Sequence, residues 1–351
     1  MKSWDAIIIG GGIIGLSFAI ELHKRAVSVL IVERGEPGRE ASYAAAGMLA
    51  ATGDEMPTIL RPLAAESARI YPEFVHELQD ESGLKIDFRE YGTILASDDE
   101  QFLLGSDRLS PKKLETLESA LEPTDLHCAY LSESSVDPRT LMQALVKAAH
   151  HRGIDIASGS EVEELIVKQG RAAGVRTQRS SYNSGVIVNC AGAWAGKIGP
   201  HNFPVRPVKG QMLAVVGGPK LEHVVRGRKV YLVPRSDGRI VIGSTLEDAG
   251  FNKQTDASTI EGLLRSATDL VPALAHARQH EAWAGLRPGT PDNLPILGES
   301  PTKGYFLATG HYRDGILLAP ATARIMGDTI VGGDSSETKL FSPLRFTESS
   351  N

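Results

Sequence analysis

The sequence predicts an α/β fold in which a Rossmann-like dinucleotide-binding domain is interleaved with an α+β domain built on a mixed or antiparallel sheet. Three observations indicate this architecture. A buried strand, a glycine-rich turn, a helix and a second buried strand fill the first 33 residues. The same pattern returns in the middle and at the end of the chain, with hairpin-like stretches between. A chain of 351 residues also exceeds what one hydrophobic core usually holds, so two domains are expected.

The first elements form a βαβ unit. Residues 4–9 are an apolar, β-branched run that ends in glycines, which is typical of a buried parallel strand. Residues 13–25 have apolar side chains at helical spacing and basic residues in the last turn. Residues 27–33 read as a second buried strand, and strand, helix and strand at this spacing make the unit.

Caps, turns and periodicity predict the remaining elements. Asp137 as N-cap, Pro138 in the first turn and Gly153 as the stop predict a helix. Two strands are expected on either side of a turn at residues 169–170, and a long hairpin around residues 236–238. The other predicted elements are a buried strand at 185–192, a helix at about 256–271, strands at 282–288 and 305–310, and a final helix at 315–332.

The order of these elements predicts two discontinuous domains, because the α/β pattern is interrupted twice. The chain should therefore cross between the domains repeatedly. The predicted dinucleotide-binding domain comprises residues 1–82, 135–203 and 283–351. The predicted substrate-binding domain comprises residues 83–134 and 204–282.

The composition favours a cytoplasmic globular protein. A net charge of −6 gives no electrostatic reason to expect nucleic acid or an anionic membrane as a partner. The two cysteines, Cys128 and Cys190, offer neither a metal-ligand cluster nor a disulfide framework. The apolar segment near the start is interrupted by glycines, is too short to span a bilayer and precedes no cleavage pattern. We therefore expect no metal, no nucleic acid and no membrane span.

The first turn carries a dinucleotide-binding fingerprint. Gly10 allows the tight turn, Gly12 lets backbone approach a pyrophosphate, and Gly15 lets helix and strand pack closely. The following helix presents free N–H groups and a positive dipole to that pyrophosphate. Glu33 ends the next strand, where an acid accepts hydrogen bonds from ribose hydroxyls and disfavours NADP. The fingerprint is shared by FAD and NAD and does not distinguish them.

Residues 41–49, "ASYAAAGML", form a run of small side chains directly after this acid and its loop. Small side chains allow a bulky planar group to lie against backbone. An ordinary alanine-rich helix explains the same run equally well, so the segment favours a flavin only in combination with the fingerprint.

Arg287 is a second candidate functional residue. It stands in "AWAGLRP", which otherwise reads as an interior strand, and a guanidinium is rarely buried unless it meets an anion. Strand alternation places Trp283, Gly285 and Arg287 on one face. Since Gly285 has no side chain, we expect the guanidinium to lie across a cavity beside an aromatic ring. A structural salt bridge is the alternative.

Motifs along nearly the whole chain, from residue 5 to 346, together resemble a known family. They include "IIIGGGIIGLSFAIEL", "VNCAGAWAG", "PVKGQML", "YLVPR", "AWAGLRPGTPDNLPILG" and "GHYRDGILLAPATA". In this order they resemble the glycine oxidases of thiamine biosynthesis, members of the D-amino-acid oxidase superfamily. The resemblance implies non-covalent FAD, oxidation of glycine or another small amine or amino acid to the imine, and return of the electrons to oxygen as hydrogen peroxide. Such enzymes are often tetramers, so a homo-oligomer is an expectation.

The resemblance also implies roles for individual residues. Arg287 and Tyr231 should bind the substrate carboxylate, and Val162 should meet the adenine side of FAD through its backbone. The small-residue run should line the flavin through Ser42, Ala45, Ala46, Gly47 and Met48. The other cofactor contacts expected are Gly10, Gly12, Ile13, Ile14, Gly15, Glu33, Arg34, Ala191, Gly192, Trp194, Asp314, Gly315, Ile316 and Leu317.

Arg313 is a third candidate for contact with an anion. It lies just before a predicted helix, where the positive end of the helix dipole disfavours a cation. A substrate carboxylate or the negative charge of reduced flavin would remove this conflict. The backbone N–H groups of Gly315, Ile316 and Leu317 are placed to stabilise such a charge at the flavin edge. A solvated loop arginine is the alternative.

Some residues leave the mechanism and substrate range open. His311 is a candidate general base, although histidines in loops are more often structural and hydride transfer from a neutral amine needs no protein base. Lys229, Leu246 and Asp314 stand where one well-known form of the family has histidine, methionine and asparagine. These departures leave the fold prediction unchanged.

Three other functions remain as alternatives. A D-amino-acid dehydrogenase of the same fold would pass electrons to an acceptor other than oxygen. An enzyme acting on a glycine-like group of modified tRNA is disfavoured by the acidic charge balance. A non-catalytic nucleotide-binding module would bind the cofactor, but no amine would reduce it.

Overall fold

The structure is a computed structural model that describes residues 3–52, 56–99, 103, 107–121, 126–333 and 336–346. The described chain contains a six-stranded sheet, an eight-stranded sheet, two three-stranded sheets and a layer of helices. This is the mixed α/β architecture that the sequence predicts.

The six-stranded sheet carries the predicted βαβ unit. Its strands are β1 Ala6–Ile9, β2 Val29–Val32, β9 Asp155–Ala157, β13 Ile187–Asn189, β19 Ile296–Glu299 and β20 Tyr305–Thr309. In the order β19-β20-β13-β1-β2-β9, all neighbours are parallel except β19 and β20. The strands β1, β2 and β20 are buried on both faces, which explains their mainly apolar sequences.

Helices cover one face of this sheet, and a small sheet covers the other. The helices are α1 Ile13–Lys24, α3 Arg61–Ser82, α5 Pro138–His151 and α7 Gly315–Gly327. The small sheet consists of β10 Val162–Lys168, β11 Arg171–Thr177 and β12 Ser181–Asn183. Ile8 of β1 belongs to the core under the helices, whereas Ile7 and Ile9 belong to the core under the small sheet. Strand alternation thus divides the apolar residues of β1 between two cores.

The eight-stranded sheet forms the second large unit. Its strands are β5 Thr93–Ser97, β6 Asp107–Arg108, β7 His127–Leu131, β14 Arg206–Val216, β15 Val224–Arg226, β16 Tyr231–Pro234, β17 Ile240–Gly243 and β18 Arg278–Gly289. In the order β18-β14-β17-β16-β15-β5-β7-β6, neighbouring strands are antiparallel except β15 and β5. Helix α6, Ala257–Leu270, packs on one face, and the other face is turned toward the small-residue run.

The remaining elements are two short helices and a second three-stranded sheet. They are α2 Ala41–Ala44, α4 Pro111–Leu117 and the three-stranded sheet of β3 Met48–Leu49, β4 Phe88–Arg89 and β8 Ser134–Val136. The chain crosses between the large sheets several times, as the element order predicts. The predicted domain boundary at residue 283 falls inside β18, which pairs with β14 over its whole length. The domain limits themselves stay a prediction.

Most predicted elements are confirmed. Asp137 caps α5 by accepting a hydrogen bond from the N–H of Arg139 at 2.9 Å. The turn between β10 and β11 has positive φ at Gln169 and Gly170, as a tight hairpin requires. The final helix is shorter than predicted, because α7 ends at Gly327 and continues as a π-helical turn, Asp328–Gly332. Within the described ranges, no helix is long and apolar enough to cross a membrane.

Candidate active site

A single large cavity brings the predicted site residues together. Its volume is about 1680 Å³, and it extends from the carboxyl ends of β1 and β2 to the face of the eight-stranded sheet. All the predicted cofactor and substrate residues except Gly15 and Leu317 line it. A cavity of this size exceeds the roughly 300–1,000 Å³ that drug-sized ligands occupy, so it has room for a dinucleotide and a small substrate together.

The glycine turn forms one end of the cavity. Gly10 has φ +104°, and a Cβ there would lie 2.6 Å from the carbonyl oxygen of Cys190, so the position requires glycine. Gly12 has ordinary backbone angles, and a Cβ there would meet only the Ser42 hydroxyl, at 3.3 Å. Gly15 lies behind the cavity wall, because a Cβ there would overlap the Gly10 carbonyl oxygen. The predicted role of Gly15 in close packing of α1 on β1 is confirmed, whereas Gly15, although expected among the cofactor contacts, does not line the cavity.

The start of α1 presents its amides to the same end of the cavity. Ile13 and Ile14 both line it. The N–H of Ile13 donates to Oγ of Ser42 at 3.0 Å. Ser42 was predicted to lie against the flavin ring, but the structure places its hydroxyl at the helix N-terminus. This position favours contact with a phosphate.

Glu33 ends β2 and is 8 % exposed. Its Oε2 accepts from the N–H of Gly11 at 2.7 Å, and its Oε1 accepts from the N–H of Gly35 at 2.8 Å. A carboxylate has further lone pairs, so these contacts orient Glu33 and leave capacity for ribose hydroxyls. Val162 lines the cavity near this carboxylate, because the N–H of Ser160 bonds to the carbonyl of Glu33.

An aromatic and cationic stack closes the nucleotide end. Cζ of Arg34 lies 3.5 Å from the centroid of the Trp194 ring, and the Phe251 ring lies 5.2 Å from that of Trp194. Lys197 lies on Phe251, with Nζ 3.8 Å from the ring centroid. Arg34 and Trp194 are predicted residues, whereas sequence reasoning gave Phe251 and Lys197 no role. Phe251 lies in a loop distant in sequence, and no local pattern indicates this contact.

The small-residue run forms the middle of the cavity wall. Ala45, Ala46, Gly47 and Met48 line it in succession, and Ala191 and Gly192 line it from the end of β13. Gly47 has φ +76°, and a Cβ there would overlap the carbonyl oxygen of Val136. This steric limit requires glycine in the run.

Arg235, which sequence reasoning missed, holds this wall from behind. It is 5 % exposed and donates to the carbonyl oxygens of Ala46 at 2.5 Å and Val136 at 3.2 Å. Burial lowers the pKa of its guanidinium. Because Arg235 follows β16, it ties the eight-stranded sheet to the small-residue run.

Arg287 lies at the other end of the cavity. Its Nη2 donates to Oγ of Ser244 at 2.6 Å and its Nη1 donates to the carbonyl oxygen of Thr245 at 3.3 Å. Both acceptors are neutral, and among the residues that the structure describes no carboxylate pairs with this guanidinium. The predicted alternative of a structural salt bridge is therefore wrong, and a cation with spare donors faces the cavity.

The space for this guanidinium comes from Gly210 rather than from Gly285. A Cβ on Gly210 of β14 would overlap both terminal nitrogens of Arg287. A Cβ on Gly285 would instead lie 2.5 Å from Cβ of Ala44, so Gly285 allows α2 to pack on β18. The expectation that Gly285 makes room for the guanidinium is wrong. Gly210 lies opposite Gly285 in the β14–β18 ladder, and this pairing is a long-range feature that the local sequence does not specify.

Tyr231 lies on the same face of the sheet. Its partner across the ladder is Gly243, and its Oη would lie 2.6 Å from a Cβ at that position. Within the described residues, the hydroxyl donates only to the sulfur of Met212, at 3.9 Å. Tyr231 and Arg287 therefore both lie over glycines of neighbouring strands, with polar groups available to a ligand.

A polar network missed by sequence reasoning supports the acceptors of Arg287. Oγ of Thr245 accepts from the N–H of Gln211 at 2.8 Å and donates to the Glu247 carboxylate. Glu247 also accepts from Nε2 of Gln211 at 2.9 Å and pairs with the buried Lys209 at 3.2 Å. Burial raises the pKa of Glu247, but these hydrogen bonds outweigh it and hold the pKa below its usual value. The segment 244–247 is thus fixed from behind.

The start of α7 forms a third side of the cavity. Arg313, Asp314, Gly315 and Ile316 line it, whereas the side chain of Leu317 is buried in the core, and the expected contact through the Leu317 backbone N–H stays a prediction. The first hydrogen bond of the helix runs from the N–H of Leu318 to the carbonyl of Asp314. The preceding amides of the first turn are therefore outside the helical ladder.

His311 is fully buried beside this helix. Its Nε2 lies 3.1 Å from Oγ1 of Thr322, and burial lowers its pKa to about 3. The imidazole is therefore neutral at physiological pH and a weak base, which favours a structural role over general base catalysis.

The residues that depart from the family form also line the cavity. Lys229 occupies the turn between β15 and β16, and the side chain of Leu246 is 55 % exposed. The described residues contain no cluster of three or more histidine, cysteine or acidic side chains that could hold a metal.

Comparison with known proteins decides the family. The model for FAD-dependent oxidoreductases of the DAO family matches residues 5–329. The chain belongs to this family. Its cofactor is therefore FAD, and its fold matches that of a crystal structure of glycine oxidase from Geobacillus kaustophilus. The TM-score is 0.92 at 31 % sequence identity, with 98 % of this chain and 99 % of that chain covered.

Curated relatives of this FAD enzyme include both single and fused proteins. The glycine oxidase of Pseudomonas aeruginosa is 34 % identical over 343 residues, covering 93 % of this chain and 94 % of the relative. The bifunctional protein ThiO/ThiG of Trichormus variabilis is 38 % identical over 346 residues, covering 93 % of this chain and 52 % of the relative. The chain thus spans about half the length of such bifunctional relatives.

Proposed function

We propose that the chain oxidises glycine and other small primary or secondary amines, including D-amino acids, to imines. Hydrolysis of the imine of an amino acid gives the 2-oxo acid and either ammonia or, from a secondary amine, a primary amine. The observation that carries this proposal is Arg287, a guanidinium with only neutral partners in a cavity whose far end fits a dinucleotide. A small substrate with a carboxylate supplies the missing anion.

The residues present fit FAD. The glycine turn leaves room for a diphosphate, α1 presents its N-terminus there, and Glu33 is fixed for ribose. The wall of Ala45, Ala46 and Gly47 leaves space for a planar ring. When bound, FAD supplies a hydride acceptor at N5 and passes the electrons to oxygen, which becomes hydrogen peroxide.

Arg287 and Tyr231 orient the substrate. The contacts to Ser244 and Thr245 fix the guanidinium plane and leave donors for a bidentate contact with a carboxylate. The Tyr231 hydroxyl adds one donor to the same carboxylate. Holding the carboxylate in this way sets the position of the α-carbon against the ring, which is the main contribution that a protein makes to such a reaction.

The ammonium group of the substrate loses one proton to solvent, and the substrate then reacts as the neutral amine. His311 does not accept this proton, because its pKa is about 3 and its Nε2 is engaged with Thr322. Arg313 and the first amides of α7 supply positive charge where the electron-rich edge of the cofactor is expected.

The imine of glycine is a reactive nitrogen donor, and we propose that it feeds thiazole synthesis for thiamine. The fused ThiO/ThiG relatives support this link. The rival function, a D-amino-acid dehydrogenase, uses the same site with a different electron acceptor.

One experiment tests the proposal. The FAD-loaded protein is mixed with glycine, sarcosine and D-alanine, and peroxide and oxygen uptake are measured together. Peroxide in a one-to-one ratio with oxygen consumed is the expected result. Turnover with a dye acceptor but not with oxygen would favour the dehydrogenase, and no bleaching of the flavin by any amine would contradict both enzymatic functions.

A further inference from the structure

We propose that Arg226 and Lys229 form a second anion subsite in the same cavity, so that the substrate range includes amino acids with a second carboxylate, such as D-glutamate. This inference rests on the proposed function, since it assumes that Arg287 holds the α-carboxylate. Both residues line the cavity.

Strand register places Arg226 on the opposite side of Tyr231 from Gly243, and Lys229 lies in the turn that joins the strands of Arg226 and Tyr231. Arg226 is directly opposite Tyr231 in the β15–β16 ladder, and Tyr231 is directly opposite Gly243 in the β16–β17 ladder. Residues opposite each other in a ladder lie on the same face of a sheet. Arg226 and Tyr231 therefore face the cavity together.

The spacing suits a short dicarboxylate. Neighbouring strands lie about 4.8 Å apart, so the backbones of Arg226 and Gly243 are separated by roughly 10 Å. The guanidinium of Arg287 lies over Gly210, one strand beyond Gly243, so the backbones of Arg226 and Gly210 are three strand spacings or roughly 14 Å apart, and the side chains of Arg226 and Arg287 line the cavity between them. A second carboxylate a few bonds from the first can reach both cations.

Arg226 has capacity for another anion. Its side chain is 19 % exposed, and its one acidic contact is Nη1 to Oε2 of Glu133 at 3.5 Å, at the limit of hydrogen bonding. Glu133 in turn accepts from Oγ1 of Thr52 at 2.9 Å. Most N–H donors of the Arg226 guanidinium therefore make no hydrogen bond to the described residues.

Lys229 is also available to pair with an anion, in contrast to its neighbour Arg228. In the part of the chain that the structure describes, Lys229 makes no ion pair although it lines the cavity. Arg228, in the same turn, lies 3.5 Å from Asp98 and 3.9 Å from Asp99. Asp107 is an acidic side chain in this part of the wall. Lys229 is therefore a cation at the cavity wall that no described acidic side chain pairs with, and such a charge favours an anionic ligand.

The test compares ligands that differ only in the second charge. Glutarate and its monoamide are titrated into the FAD-loaded protein, and the perturbation of the flavin spectrum gives their dissociation constants. D-Glutamate and D-glutamine are compared by kcat/KM in the same way. In each pair, we expect the native protein to favour the ligand with two carboxylates over its amide by about tenfold.

Variants assign this preference to the subsite. Lys229→Gln should reduce it to about threefold, and Arg226→Lys should reduce it less, because the positive charge remains while the fork is lost. Arg228→Gln, the matched control, should leave it unchanged. No dianion preference in the native protein, or equal losses in Lys229→Gln and Arg228→Gln, would overturn the subsite. Dianion binding without any reduction of the flavin by amines would contradict the proposed function and leave the subsite intact.

Discussion

The two ends of the cavity are built by different means. At the nucleotide end, the groups expected to hold the phosphates and the ribose all lie within residues 10–33: a glycine turn, the amides of α1 and the fixed carboxylate of Glu33. The substrate end consists of Tyr231 and Arg287, from two strands of the eight-stranded sheet, and the supporting segment 244–247 that follows a third strand. One end depends on local geometry, and the other depends on long-range strand pairing.

This difference predicts different responses to mutation. Side chains at the substrate end can be removed without disturbing the ladders that carry them. At the nucleotide end, a methyl group added to Gly10 or Gly15 meets backbone, so folding and cofactor binding should fail together. A methyl group that faces the cavity, as on Gly12, should impair cofactor binding alone.

The largest effect is expected at the substrate end. Arg287→Ala should lower kcat/KM for glycine by about 1,000-fold, because a desolvated carboxylate loses its charged partner. FAD binding should be retained, since Arg287 lies away from the glycine turn. Steady-state kinetics and the flavin spectrum measure the two quantities, and Arg287→Lys, which keeps the charge but not the fork, should recover only part of the activity. Full activity of the alanine variant would remove the assigned carboxylate anchor.

A pair of glycine variants separates packing from binding at the nucleotide end. Gly15→Ala should destabilise the protein by about 3 kcal/mol, because the added Cβ overlaps the Gly10 carbonyl. Gly12→Ala should change stability by less than about 1 kcal/mol, since its φ of −77° suits alanine, yet weaken FAD binding about tenfold. Thermal unfolding of the apoprotein and fluorescence titration with FAD measure both. Equal stability losses would show that the two glycines do not differ in role.

A substitution of Glu247 tests how far the position of Arg287 depends on the hydrogen-bond network behind residues 244–247. Glu247→Gln should raise KM for glycine about fivefold with a smaller change in kcat, because Thr245 loses a charged acceptor and the acceptors of Arg287 loosen. The lowered pKa of Glu247 means that this support is present above its usual pKa and is lost as pH falls through the lowered value. A KM profile that is flat on acidification in the variant but rises in the native protein is expected. A change in kcat alone would contradict the positioning role.

The smallest effect on turnover is expected at His311. His311→Gln should change kcat by less than about threefold and leave the pH profile of kcat/KM unaltered, because the buried imidazole is not the base. Its pKa falls from 6.5 to about 3 on folding, so only the unfolded chain binds a proton between these values. The native protein should therefore lose stability as pH falls below 6.5, by up to about 1.4 kcal/mol per pH unit. The variant should lose less, as thermal unfolding at several pH values would measure. A missing acidic limb in the variant would instead identify His311 as the base.

The sequence predicts the nucleotide end well because its signals are local. Spacing of the glycines, the acid that ends β2 and the cap of α5 each lie within one turn or element. The placement of Ser42 at the start of α1 is not predictable in this way, because β2 and a loop separate α2 from α1 in the sequence and the contact joins residues 29 positions apart.

At the substrate end, the sequence identifies the residue but not its surroundings. Arg287 is conspicuous in an apolar strand, and the family resemblance adds Tyr231. The glycine that makes room for the guanidinium lies on another strand, and Arg235 and Glu247 act through backbone or hydroxyl groups of other residues. Such contacts depend on register across the eight-stranded sheet, which no local pattern specifies.

The central claim is that the Arg287 guanidinium binds the substrate carboxylate. The most direct test is a double cycle that removes the guanidinium from the protein and the carboxylate from the substrate, with glycine and methylamine as substrates and anaerobic bleaching of the flavin as the readout. The native protein should reduce its flavin with glycine about 1,000-fold more efficiently than with methylamine, and Arg287→Ala should lose nearly all of this preference. A preference for glycine that persists undiminished in the variant would contradict the claim.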